Sequence, residues 1–277
     1  MEWQQRDLGL AGICRETSRV VLRVILPDFA NSGPPLLSAL LLADAAFSCT
    51  LHSSVARGLD PEAAALALLD TVCILLSLLC TAAYALCVAS LYRTGGDLRA
   101  ADRVLNEDLP VVPLMRLGRT FLLVAAVPFV LVFVPLAVAS SSFRADDKIM
   151  LPLWLLGWAS AAHAAPVCHL AFVVSVLEDA ELFGALRRSR ELLAGKFCAA
   201  ACVFAALDGC VVAVLKAFQA LVVHDALGLG LAFQLAAGAA MFLALCALLV
   251  ATLVAQPVVY MVCKNHHQEL LDMAHLD

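Results

Sequence analysis

Residues 63–92 read AAALALLDTVCILLSLLCTAAYALCVASLY, a run of thirty in which Asp70 is the single charged side chain. A helix needs roughly 20 apolar residues to cross a hydrocarbon core about 30 Å thick, so this stretch reads as a transmembrane helix. Windows of the same kind lie at 121–140, 150–177, 197–222 and 229–262. A weaker one at 20–47 is interrupted by Asp28, Asn31, Ser32, Gly33, Pro34 and Pro35. That interruption suits a broken first crossing, or an interfacial helix followed by a short crossing; the broken crossing is preferred. The expected fold is an all-α membrane protein, a polytopic bundle of about six transmembrane helices with short cytosolic amphipathic segments, forming one transmembrane domain over residues 1–277.

Composition agrees. The chain is 63% hydrophobic and 15% charged, with a mean hydropathy of +0.92, whereas soluble domains are roughly 45–50% apolar and 25% charged. The eleven cysteines form no CxxC pair, and most sit inside apolar windows, where Cys behaves as a small hydrophobe. A disulfide framework is therefore not expected. The opening MEWQQRDLGL lacks a basic n-region leading into an apolar one, so no removable signal peptide is expected.

Orientation follows from the cations. One side of the six segments collects Arg6, Arg15, Arg19, Arg23, Arg93, Arg99, Arg103, Arg116, Arg119, Arg187, Arg188, Arg190, Lys196 and Lys264. The other has only Arg57, Arg144 and Lys148, and Lys216 lies within a crossing. The positive-inside tendency then puts both termini in the cytosol. Three basic stretches recur on that side: GICRETSRVVLRV from Gly12, PLMRLGRTFLLV from Pro113 and GALRRSRELLAGKF from Gly184. Each precedes a helical pair, which suggests three units of basic segment plus hairpin; an even-numbered bundle also puts its basic loops on one side without any repeat. Cations at the cytosolic interface meet anionic lipid headgroups. The cluster Arg187, Arg188, Arg190 and Lys196 is the candidate lipid-facing or partner-facing surface.

The stretch from Cys168, CHLAFVVSVLEDAELFGALRRSRELLAGK, joins a helix end, an acidic pair, an amphipathic turn and a basic cluster. It resembles a plant family of uncharacterised multi-pass transmembrane proteins, whose members carry a similar HLA-SVVSVLE-D stretch followed by A-x-x-x-S-x-x-L-x-x-GK. The N-terminal LGLAGICRETSRVV from Leu8 and ILPDF from Ile25 look like that family's opening. The resemblance implies an endomembrane or plasma-membrane protein and supplies no reaction. The chain departs from it at Asp28 and the Asn31–Pro35 segment, where a more apolar first crossing is expected.

Ionisable groups inside a bilayer are costly and are usually paired or functional. Four stand out: Asp70, His163, Asp208 and Lys216. Depth along the expected crossings suggests the pairs Asp70 with Lys216 and His163 with Asp208, read first as internal locks on helix register and second as a proton-coupled or ion-conducting site. Asp70, Cys73, Ser77, Cys80, Tyr84 and Cys87, spaced by three and four, form one stripe of small and polar groups. Such a stripe is read as a seam against neighbouring helices, with a polar pathway as the alternative. His169 is read as a hydrogen-bonding residue of the helix interior. Cys14 and Cys263 are candidates for palmitoylation, and Cys263, His266, His267 and His275 match no strong zinc signature.

No G-x-S-x-G, H-E-x-x-H, P-loop or G-x-G-x-x-G occurs. The chain is not expected to be an enzyme, and neither cofactor nor metal is expected. The basic residues are split among short loops without stacking aromatics, which disfavours nucleic acid as a partner. Partners are instead sought in the lipid bilayer and among proteins on the cytosolic side. The function expected is a non-enzymatic scaffold, adaptor or membrane organiser, with a small transporter or channel using the intramembrane Asp, His and Lys as the alternative.

Overall fold

The structure, a computed structural model, describes residues 9–22, 43, 45, 63–94, 114–128, 147–178, 180–224, 228 and 230–274. Among the described residues every regular element is helical. In chain order these are α1 (Leu10–Val20), α2 (Ala63–Thr94), α3 (Leu114–Pro128), α4 (Asp147–Leu177), α5 (Phe183–Leu193), α6 (Phe197–Phe218), extended by a π-helical turn at Gln219–Val223, and α7 (Leu231–Ala274). Most of the broken crossing expected at 20–47, residues 129–140 of the expected window 121–140, and the cations Arg57 and Arg144 lie outside the described residues.

All three basic stretches form helices, α1, α3 and α5, and the periodicity explains which face turns in. In α1 Ile13, Thr17 and Val20 are buried while Cys14, Arg15 and Arg19 face out. In α5 Ala185, Ser189, Leu192 and Leu193 are buried while Arg187 and Arg190 face out. Both patterns are the three-and-four spacing of one helical face.

The long helices are apolar all round. Among the described residues three segments are long and apolar enough to cross a membrane: Leu75–Arg93, Phe197–Val223 and Leu231–His267. His163–Leu177 in α4 is a shorter apolar stretch. Val212, Leu231, Leu235 and Leu243 are exposed on α6 and α7. Water penalises such surface and lipid does not, so the helices that carry it are suited to a bilayer.

Helix α7 is the pillar of the bundle, touching α1, α2, α4, α5 and α6. At about 1.5 Å per residue its 44 residues span roughly 66 Å, far more than a hydrocarbon core requires. Helices α6 and α7 form an antiparallel hairpin: Gly238 lies against Val222 near the turn and Gly195 against His266 at the far end. Cys80, Tyr84, Cys87, Val88 and Leu91 of α2 pack against Val250, Leu253, Val254 and Val258 of α7. The C-terminal half of the expected stripe is thus a buried seam, while Ser77 faces out. A second cluster joins Leu170, Val173 and Val174 of α4 to Leu192 and Leu193 of α5, Phe204 of α6 and Val259 of α7.

Candidate functional site

Two polar centres lie between the helices. The first is the acidic turn from Glu178 to Leu182 that joins α4 to α5. Glu178 Oε1 accepts from the Tyr260 hydroxyl at 2.6 Å and from Lys264 Nζ at 3.2 Å, both on α7. Its Oε2 accepts from Arg188 Nε of α5 at 3.1 Å. Lys264 Nζ also donates to Tyr260 Oη at 2.9 Å, closing a small ring of hydrogen bonds. Three residues further along the turn, Glu181 accepts from Arg116 Nε of α3 at 3.1 Å, with Arg119 Nη1 at 4.0 Å. The Leu182 amide N–H reaches Thr120 Oγ1 at 3.4 Å. Leu182 has φ 48°, a left-handed conformation costly for a leucine, held here at the start of α5.

This turn is a junction because its charge is matched by cations from three helices. Burial works to push the Glu178 carboxyl up, but the Tyr260, Arg188 and Lys264 hydrogen bonds outweigh it and hold the group below the usual carboxylate range. Charge-assisted bonds of this kind are about twice as strong as neutral ones, and they fix α3, α5 and α7 against the end of α4. Arg188 is shared further, its Nη1 lying 3.5 Å from Glu191 Oε2.

The second centre is a chain of three side chains. Gln256 Nε2 of α7 meets His169 Nδ1 of α4 at 3.0 Å, and His169 Nε2 meets Asp208 Oδ2 of α6 at 3.2 Å. Which ring nitrogen donates and which accepts depends on the imidazole tautomer. The Phe204 ring stacks on the imidazole with centroids 4.6 Å apart. Gln256 Oε1 is buried without a hydrogen-bond partner among the described residues.

A family model, a domain of unknown function called DUF8558, matches residues 51–277 and so covers α2 to α7 and both polar centres. The chain belongs to the DUF8558 family. No curated protein and no solved structure matches it.

In this DUF8558 chain the expected pairing of His163 with Asp208 is replaced. Asp208 takes His169, and the exposed His163 lies against Phe197, ring centroids 4.6 Å apart. The reason is the path of the chain. Helix α5 returns along α4, Ser189 Oγ donating to the Val167 carbonyl at 3.0 Å. Helix α6 therefore starts beside His163 and comes level with His169 only at Phe204 and Asp208. Lys216 Nζ donates to Gln219 Oε1 at 3.2 Å within its own segment. The side chain of Asp70 lies outside the described residues, and the Asp70–Lys216 pairing with it.

The basic cluster divides. Arg188 turns in to Glu178, whereas Arg187 and Arg190 face out; Arg187 is 83% exposed even while its Nε donates to Glu191 at 2.9 Å. Lys196 is half-buried at the start of α6. Cys14 is exposed, but Cys263 is buried in the core, away from any acylating enzyme. Among the described residues no group of three His, Cys, Asp or Glu side chains could hold a metal ion; His275 lies outside them.

Tyr260, Lys264 and Gln256 are not among the site residues expected from the sequence. The signals were present: Tyr260 and Lys264 share a face at i and i+4 where an apolar run ends, and Gln256 is an isolated amide deep in that run.

Proposed function

We propose that this chain is a non-enzymatic multi-pass membrane protein, a scaffold or adaptor that holds its helices in fixed register and turns a basic face toward anionic headgroups in the cytosol. Six crossings with both ends cytosolic is the topology proposed, resting on the asymmetry of Lys and Arg. The observation that carries the reading is the division of α5. One arginine, Arg188, is spent on the internal acidic turn, and Arg187 and Arg190 on the opposite face stay out. A helix anchored on one side and cationic on the other is suited to a charged interface, where each cation contributes about 1 kcal/mol.

The test is lipid selectivity in proteoliposomes, read as the enrichment of spin-labelled phosphatidylserine over phosphatidylcholine at the protein surface. The wild type should select the anionic lipid, and Arg187→Glu with Arg190→Glu should lose most of that selectivity without loss of folding. Equal selectivity in both proteins overturns the reading.

A transporter or channel is the second reading, and one observation favours it: the Gln256–His169–Asp208 chain links three helices. Proton or ion flux that is present in wild-type liposomes and absent in a folded Asp208→Asn variant would put it first. No flux under any gradient leaves the scaffold.

A further inference from the structure

We infer that α1 and α5 together form a seat for anionic phospholipid, in which an apolar side chain from each helix enters the acyl boundary and the arginines beside it hold phosphates. The inference rests on the reading of α5 proposed above and extends it to a second helix. Both helices sit at the C-terminal end of α7: Ile13 of α1 and Leu192 and Leu193 of α5 share one buried cluster with Tyr260 and Cys263. Each turns the same pattern outward. On α1, Arg15 and Arg19 are exposed, and Leu22, just past the end of the helix, is 61% exposed. On α5, Phe183 is 71% exposed, and Arg187 and Arg190 face out. Both triplets have the spacing i, i+4, i+7, which puts each on one face of its helix. They differ in order alone, the apolar residue coming last on α1 and first on α5.

The pairing of the arginines repeats as well. Arg19 Nη1 lies 3.8 Å from Glu16 and Arg187 donates to Glu191 at 2.9 Å, each within its own helix. Arg15 and Arg190 meet no carboxylate among the described residues. One guanidinium on each helix is thus left for an outside anion, and its planar fork matches a phosphate with two parallel hydrogen bonds. A phosphate alone does not account for Leu22 and Phe183, whose exposure water penalises. The interface of a lipid leaflet meets both demands, because acyl chains receive the apolar side chain while headgroups receive the cation. The surroundings are those of lipid. Ser189 Oγ donates to the Val167 carbonyl, so α5 lies against the apolar stretch His163–Leu177, and α1 packs on α6 and α7, the two longest apolar segments. An acidic soluble protein would satisfy the arginines but gives no reason for an apolar residue in line with them on both helices, whereas anionic headgroups over acyl chains supply both partners.

Tryptophan fluorescence of the full chain in mixed vesicles of phosphatidylcholine and phosphatidylserine tests this, with bromine on the chains of one lipid or the other as quencher. Phe183→Trp on α5 and Leu22→Trp beside α1 are the reporters, each read as the difference from the wild type, whose own tryptophans are Trp3, Trp154 and Trp158. Both reporters should be quenched by either brominated lipid, and several-fold more strongly when the bromine is on phosphatidylserine. Adding Arg15→Glu and Arg190→Glu should bring the two lipids close to parity. A reporter that escapes brominated chains and is quenched by aqueous iodide overturns the seat and leaves that face to a soluble acidic partner. Equal quenching by the two lipids without the arginine changes overturns it as well. Selection of spin-labelled phosphatidylserine by the wild type, with neither reporter quenched, removes the seat but leaves the headgroup reading of α5; loss of both removes both. If a reporter variant fails to fold, a photoactivatable phosphatidylserine on the wild-type chain decides, with cross-links expected on α1 and α5 and their absence from either helix overturning the inference.

Discussion

The Tyr260 hydroxyl donates to Glu178 Oε1 at 2.6 Å, joining the C-terminal half of α7 to the end of α4 across 82 positions of sequence. Lys264 and Arg188 meet the same carboxylate, so a donor lost here is partly covered by the others. Tyr260→Phe should therefore cost about 1.5 kcal/mol, the lower end for a hydrogen bond to a charged group. Glu178→Ala removes the shared acceptor, leaves three donors facing one another and should cost more than Tyr260→Phe. Unfolding of the purified variants in detergent micelles, followed by circular dichroism, measures both; equal costs would show that the carboxylate is not the shared centre.

The same carboxylate sets a pH dependence. Its proton is held less tightly in the folded protein than at the ordinary value of 4.5. Its contribution to stability is therefore complete above that value and disappears as the pH falls through the lower, folded-state one. Stability measured downward from neutral pH should show a loss confined to the acid side of 4.5. In Glu178→Gln that loss should be smaller. A loss of the same size in the variant would assign the acid sensitivity to other groups.

Two neighbouring arginines should behave differently. Arg187 is 83% exposed and, among the described residues, pairs with Glu191 of its own helix, a solvent-screened contact that contributes little. Arg188 is 36% exposed and bridges Glu178 to Glu191. Arg188→Ala should cost about 1–2 kcal/mol, between the surface value and that of a broken buried pair, because Tyr260 and Lys264 still hold Glu178. Chemical unfolding of both variants checks this, and similar values would remove the distinction between an inner and an outer face of α5.

Much of this arrangement is legible in the sequence, and the illegible part has a definite cause. The faces of α1 and α5 are written in three-and-four spacing, as is the seam of Cys80, Tyr84 and Cys87, because burial of one stripe is a local property of a helix. The partner of Asp208 is not written in this way. Apolar windows fix how deep a residue lies along its own helix, but not the path that the chain takes between helices. The return of α5 along α4 shifts α6, so that His169 and not His163 meets the aspartate. The junction at Glu178 escaped for a related reason: its three donors come from two helices, and each looks in isolation like an ordinary interfacial residue.

Gly195, in the turn from α5 to α6, has φ +87°, and a Cβ there would lie 3.1 Å from His266 Nε2. Gly195→Ala meets both a left-handed backbone and a neighbouring ring. It should cost about 1–2 kcal/mol from the backbone alone, with any displacement of His266 added. Gly184→Ala is the control, since a Cβ there meets nothing within 4 Å. Thermal unfolding of the two variants should separate them clearly, and equal midpoints would mean that the α5–α6 turn relaxes freely.

Tyr84 decides between the two readings of the α2 stripe. Its side chain is fully buried against α7, and its hydroxyl has no hydrogen-bond partner among the described residues. In a packing seam that hydroxyl contributes nothing and carries an unreturned desolvation cost. Tyr84→Phe keeps the ring and removes the polar atom, so it should be neutral or stabilise the protein by about 1 kcal/mol. In a polar pathway the hydroxyl would hold water or an ion, and the same change would destabilise the bundle or abolish flux in proteoliposomes. Cys80 and Cys87 flank Tyr84 on the same buried face, and Val254 and Val258 lie in the apolar cluster that they join. A hydroxyl in such surroundings is a filler of volume, and the expected result is a variant at least as stable as the wild type.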